Sequence, residues 1–157
     1  MAEPRTFEAV IIEAADGRAY VPLPFDPDAA WGQVRPHRLH GALNGHNFRG
    51  IVEAIDGGLG LPIGAMWRRD CGVAVGDMVQ AVLKPEGPRR EDLDPDVAAA
   101  LAAETAAGEF FDGLAQFYRK AYLRWIDGAK RRPEVRAARI AELVELLKAG
   151  RKARASD

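Results

Sequence analysis

The stretch VRPHRLHGALNGHNFRGIVEAI, residues 34–55, reads as a β-hairpin and decides the fold of the first half of the chain. Val34 to Leu43 forms one arm and His46 to Ile55 the other. Between them, Asn44-Gly45 tolerates the positive backbone angles of a tight two-residue turn. Working outward, Asp56-Gly57-Gly58 closes the return arm, and Leu59 to Ile63 is a short extended piece. Upstream, Phe7 to Ala14 contains Val10, Ile11 and Ile12 and suits a strand. Asp16-Gly17 then turns the chain into Ala19–Pro24, where Pro22 and Pro24 indicate an edge strand or an extended exit. Asp28 is placed to cap a short helix through Ala29, Ala30 and Trp31. Downstream, residues 66–71 form a helical turn leading to Gly72, and Gly76-Asp77 precedes the strand Met78 to Leu83. There Met78, Gln80 and Val82 point one way, and Val79, Ala81 and Leu83 the other. Short strands at this spacing, joined by glycine-rich turns, predict a small, mostly antiparallel, closed or partly closed β-barrel. The long strand–helix alternation of a doubly wound sheet is missing.

The second half reads as helical. After the polar connection KPEGPRREDL (84–93), Asp94-Pro95 is a helix start, with Asp94 as cap and Pro95 in the first turn. This helix extends to about residue 106 and ends at Gly108. Over residues 109–128, Leu114, Tyr118, Ala121, Tyr122, Trp125 and Ala129 recur at three- and four-residue spacing on one face. Pro133 and Glu134 open the last helix, Ala137, Ile140, Leu143, Val144 and Leu147 line it, and Gly150 stops it. An antiparallel pair packed through Tyr122, Trp125, Ile140 and Val144 is the simplest model. The expected fold is α+β, a small barrel followed by two or three helices. The divisions are a barrel domain at 5–86, an acidic linker with a first helix at 87–108, a basic helical hairpin at 109–150 and a frayed tail at 151–157.

The 157 residues are 48 % hydrophobic and 29 % charged, which suits a folded chain rather than a disordered one. No run of 18 apolar residues occurs, so no membrane span is expected. Met1-Ala2-Glu3-Pro4 does not open a secretory signal, and the single cysteine, Cys71, suits a reducing, cytoplasmic setting. Net charge is -1, but its distribution is uneven: residues 1–88 carry -3, 89–112 carry -5 and 113–157 carry +7. The basic segment reads either as an anion-seeking face or as a partner for the neighbouring acids.

No side-chain set in the sequence spells out a reaction. His37, His40 and His46 lack metal-ligand spacing, and His37 and His40 fall on opposite faces of the expected strand. Arg68 and Arg69 lie close to Cys71, but no base and orienting partner accompany the thiol. Asp77 reads as a turn residue bonding backbone N–H groups. Gly57, Gly58, Gly60 and Gly64 match neither phosphate-loop nor dinucleotide patterns. No catalytic residue, metal or cofactor is therefore assigned. The remaining candidates for an anion or partner contact are Arg119, Lys120, Arg124, Lys130, Arg131, Arg136 and Arg139, whose guanidinium and ammonium groups match phosphates and carboxylates.

The segment FDGLAQFYRKAYLRWIDGAKRRPEVRAARIAELVELLKAG (111–150) resembles the C-terminal helical unit of the YdeI/OmpD-associated, or bacteriocin-protection, family. The pattern runs through Leu114, Arg119-Lys120, Tyr122, Trp125-Ile126, Ala129-Lys130-Arg131, Glu134, Arg136 and Arg139-Ile140. Val135 and Ala138 depart from it, where a threonine and a second arginine are expected. FEAVIIEA (7–14), YVPLP (20–24), LHGALNGHNFRGIVEAIDGG (39–58) and LGLPIGAMWRRDCGVAVGDMVQAVL (59–83) resemble the small domain of unknown function that often precedes this unit. The resemblance implies a small β-barrel followed by helices and a link to bacteriocin tolerance or envelope stress. It supplies no catalytic residues.

The sequence therefore favours a soluble, non-enzymatic binding or stress-tolerance protein that meets a protein or small anionic ligand. The alternatives are a nucleic-acid-binding protein using the basic helices, and an enzyme with a pocket in the barrel.

Overall fold

The computed structural model describes residues 3–155. Met1-Ala2 of the start and Ser156-Asp157 of the tail lie outside the described residues. The chain divides into two compact units, one running to Pro85 and the other starting at Glu86.

The N-terminal unit contains eight strands and two short helices among its described residues. In chain order they are β1 (Arg5–Val10), β2 (Ile12–Glu13), β3 (Ala19–Pro22), α1 (Pro27–Trp31), β4 (Arg38–Leu43), β5 (His46–Ile51), β6 (Glu53–Ile55), β7 (Gly58–Ile63), α2 (Ala65–Cys71) and β8 (Met78–Pro85). They form two four-stranded antiparallel sheets, ordered β1-β8-β4-β5 and β2-β3-β7-β6. The expected α+β class holds, but the strands do not close into a barrel. Two chain segments instead run from one sheet into the other. The first breaks at Ile11, between β1 and β2, and the second at Val52, between β5 and β6.

Each break carries its own hydrogen bonds. Ile11 N–H donates to the Asp77 carbonyl at 2.9 Å, and Val52 N–H to the His37 carbonyl at 3.0 Å. A buried backbone group that leaves a ladder needs such a partner. Asn44-Gly45 makes the expected turn, with φ of 50° and 79°, and pairs Leu43 with His46. The core lies between the sheets and takes Ile11, Val21, Leu39, Leu61, Val79 and Leu83. Val79, Ala81 and Leu83 are buried, as strand alternation predicts.

The C-terminal unit contains α3 (Pro95–Ala103), α4 (Thr105–Gly113), α5 (Gln116–Asp127) and α6 (Pro133–Lys148). Gly108 does not end a helix. It lies inside α4, where the Arg90 guanidinium rests against it and leaves little room for a side chain: a Cβ there would sit 2.6 Å from Arg90 Nη1. The break falls instead at Glu104. On α5 the buried stripe is Arg119, Tyr122 and Ile126, one position displaced from the face centred on Tyr118 and Trp125. Ile140, Leu143, Val144 and Leu147 of α6 are buried as expected, while Ala137 is exposed. No helix among the described residues is long and apolar enough to cross a membrane.

Candidate functional site

The seven basic candidates divide by what surrounds them. Arg119 is 5 % exposed, although its neighbours in sequence are Tyr118 and Lys120. Its place on the Tyr122–Ile126 stripe turns it inward. Its Nε donates to the Leu114 carbonyl at 2.9 Å, one Nη to Glu86 and Pro88, and the other to Asp112 at 2.7 Å. The guanidinium also lies 5.5 Å from the centre of the Phe111 ring. It thus ties the segment entering the unit to the α4–α5 junction.

Arg136, in the first turn of α6, gathers three carboxylates. It reaches Asp96 at 2.7 Å, Asp94 at 3.0 Å and Asp127 at 3.2 Å. Asp94 therefore does not cap α3 through its side chain, because that carboxylate is turned to Arg136 instead. The arrangement holds the Asp96 carboxyl below its ordinary value, chiefly through the Arg136 hydrogen bond. A carboxyl depressed in the folded state adds stability above its unfolded value of about 4, and that stability is lost as pH falls through the folded value. Arg136→Gln should lower stability by about 1 kcal/mol at neutral pH, since these acids are half-exposed. Urea unfolding at several pH values checks this: the gap from the parent should shrink as pH falls below about 4.

Arg139 donates to the Trp125 carbonyl and lies over the Trp125 ring, whose centre is also 4.4 Å from Arg154. Tyr122 O–H donates to the Arg151 carbonyl at 2.7 Å, so the start of the tail is tied to α5. Burial raises that phenol's pKa. The other four candidates differ. Lys120, Arg124, Lys130 and Arg131 are exposed and form no ion pair among the described residues. Phe117, one turn before Lys120, is 69 % exposed.

A second site was not legible from spacing. In the N-terminal unit Asp28, Arg35 and His37 share the wall of a cavity of about 440 Å³ with Pro36, Val52, Ala54 and Leu59. Asp28 accepts two hydrogen bonds from Arg35, at 2.7 and 2.8 Å, and lies 2.6 Å from His37 Nε2. Both partners push the Asp28 carboxyl far below its usual range, Arg35 most. Asp26, rather than Asp28, caps α1, accepting from the Asp28 N–H at 2.9 Å. This frees the Asp28 carboxylate for the cluster. The signal available was Asp26-Pro27, an acid before a proline, which marks the cap and first helical position. His37 precedes β4 rather than lying on a strand, so strand alternation does not govern its direction. Among the described residues no three His, Cys, Asp or Glu side chains converge as metal ligands.

Two family models match the chain. Residues 7–83 match a domain of unknown function, DUF1905, and residues 92–150 match the family described as bacteriocin-protection, YdeI or OmpD-associated. No curated protein matches it. The order of the two matches follows the sheet unit and then the helical unit. The chain is thus similar to the DUF1905 domain over its sheet unit and to the YdeI/OmpD-associated family over its helical unit.

Proposed function

We propose that the chain is a non-enzymatic binding protein that docks an acidic protein segment on the cationic residues of its helical unit. The observation behind this reading is the division of labour among the basic residues. Arg119, Arg136 and Arg139 serve carbonyls, acids and a ring within the unit. Lys120, Arg124, Lys130 and Arg131 remain exposed, without ion pairs among the described residues. Exposed cations steer a polyanion over several ångströms and are screened by salt. The exposed Phe117 ring adds an apolar contact beside them.

The test is a titration of the full chain with a fluorescent deca-glutamate peptide and with a single-stranded DNA oligomer, at low and physiological salt. The peptide should bind, weaken as salt rises, and lose at least tenfold in affinity when Lys120, Arg124, Lys130 and Arg131 become glutamate. Equal binding by that variant removes the cationic residues from the reading. Tighter binding of DNA at both salt levels replaces the acidic protein with nucleic acid. Bacteriocin tolerance is the physiological side of the same proposal, supported by the family description. Cells carrying the charge-reversed chain should then survive bacteriocin challenge less well than cells carrying the parent.

A further inference from the structure

The cavity of the N-terminal unit has no part in that docking. Its volume of about 440 Å³ suits a compact organic molecule. Val52, Ala54 and Leu59 give it an apolar wall, and Asp28, Arg35 and His37 a polar corner. His37 is 5 % exposed, so its ring is set in place by the fold. Its Nε2 meets Asp28 Oδ1 at 2.6 Å, and the same carboxylate takes both Arg35 Nη groups.

An ionised carboxylate only accepts hydrogen bonds. In the neutral ring the hydrogen therefore sits on Nε2, and Nδ1 presents a lone pair. Nδ1 meets no donor among the described residues. The unpartnered Nδ1 is not sealed from solvent, so water reaches it and a ligand's donor can take that water's place. Arg35 and Asp28 cancel in charge, so the corner offers an acceptor without a net charge to attract an ion.

We propose that this cavity binds a compact, neutral organic molecule with an apolar body and one hydroxyl or N–H donor, which gives its hydrogen to His37 Nδ1. Arg35, 70 % exposed, stands at the rim and holds Asp28 in position. Asp28 in turn sets which ring nitrogen faces the ligand as acceptor. The proposal does not depend on the acidic partner of the helical unit.

Three molecules sharing one ring system test it: 2-naphthol, 2-methoxynaphthalene and 2-naphthoate. Each is titrated into the full chain labelled with ¹⁵N, following backbone amides and imidazole nitrogens. The naphthol should saturate, shift the amides of residues 27–37 and 52–59, and move the His37 Nδ1 resonance. It should bind roughly three- to tenfold tighter than the methoxy compound, the range expected for one net hydrogen bond. Naphthoate should bind no better than the methoxy compound. His37→Phe should make naphthol and methoxynaphthalene equal. Leu59→Trp, which fills the cavity from β7, should abolish both while leaving the free protein's imidazole pattern unchanged. No saturable binding, equal affinities in the parent, or naphthoate as the tightest ligand would each overturn the proposal. If His37→Phe does not fold, Leu59→Trp and the ligand comparison decide the matter.

Discussion

Gly41→Ala should destabilise the N-terminal unit by about 3 kcal/mol or more, a loss on the scale of severe core lesions. Gly41 lies in β4, in the middle of its sheet, between β8 and β5. A Cβ built there would stand 1.9 Å from the Val82 carbonyl oxygen and 3.0 Å from its carbon. Both are backbone atoms, so no side-chain rotation relieves the overlap. The backbone φ of 153° at Gly41 also disfavours an L side chain. The pairs Gly41–Leu83 and Ala42–Val82 must part, and with them the burial of Leu39, Leu43 and Leu83. Hydrogen exchange followed by mass spectrometry checks this directly. Protection should fall in peptides covering β4 and β8, and α3 to α6 should keep theirs. Unchanged protection at β4 would refute the steric account.

Arg119→Met should destabilise the C-terminal unit by about 3 kcal/mol, although methionine retains much of the buried stem. The loss comes from the guanidinium's partners. The carbonyls of Glu86, Pro88, Asp112 and Leu114 would each lose a charged donor, and buried acceptors without partners cost about 1–3 kcal/mol each. Water reaching some of them keeps the total below the sum. Arg119→Lys should recover only part of the stability, since one ammonium cannot serve carbonyls on two sides of a planar fork. Urea unfolding gives the magnitude, and exchange at residues 86–90 gives the place. A variant as stable as the parent would mean that the carbonyls find other donors.

These two sites differ in how far the sequence exposes them. The turn at Asn44-Gly45 and the inward set Val79, Ala81 and Leu83 follow from local rules, a dipeptide and an alternation of two. Arg119 was legible in principle: it lies three and seven residues before Tyr122 and Ile126, on their stripe. Its charge pointed the other way, because arginine is seldom buried without partners, and those partners are carbonyls that no side-chain pattern records. The two sheets were harder still. Val10, Ile11 and Ile12 are three β-branched residues in a row, and only pairing decides that Ile11 is 1 % exposed while Val10 and Ile12 are 39 % and 38 % exposed. The cluster of Asp28, Arg35 and His37 joins a helix to a loop across seven and nine residues, where neither strand nor helix periodicity applies.

The crossings at Ile11 and Val52 constrain how the N-terminal unit can change length during evolution. The segment before and after Ile11 must keep step with β8 on one side and β3 on the other. The segment around Val52 must do the same with β4 and β7. One residue inserted into either would turn a whole ladder inside out, exchanging buried and exposed faces. Along these two segments, gain and loss of residues should therefore fall at the hairpin tips at Asp16-Gly17, Asn44-Gly45 and Asp56-Gly57. Relatives that differ in length should differ there, while these two segments keep a fixed count as the rulers of the domain.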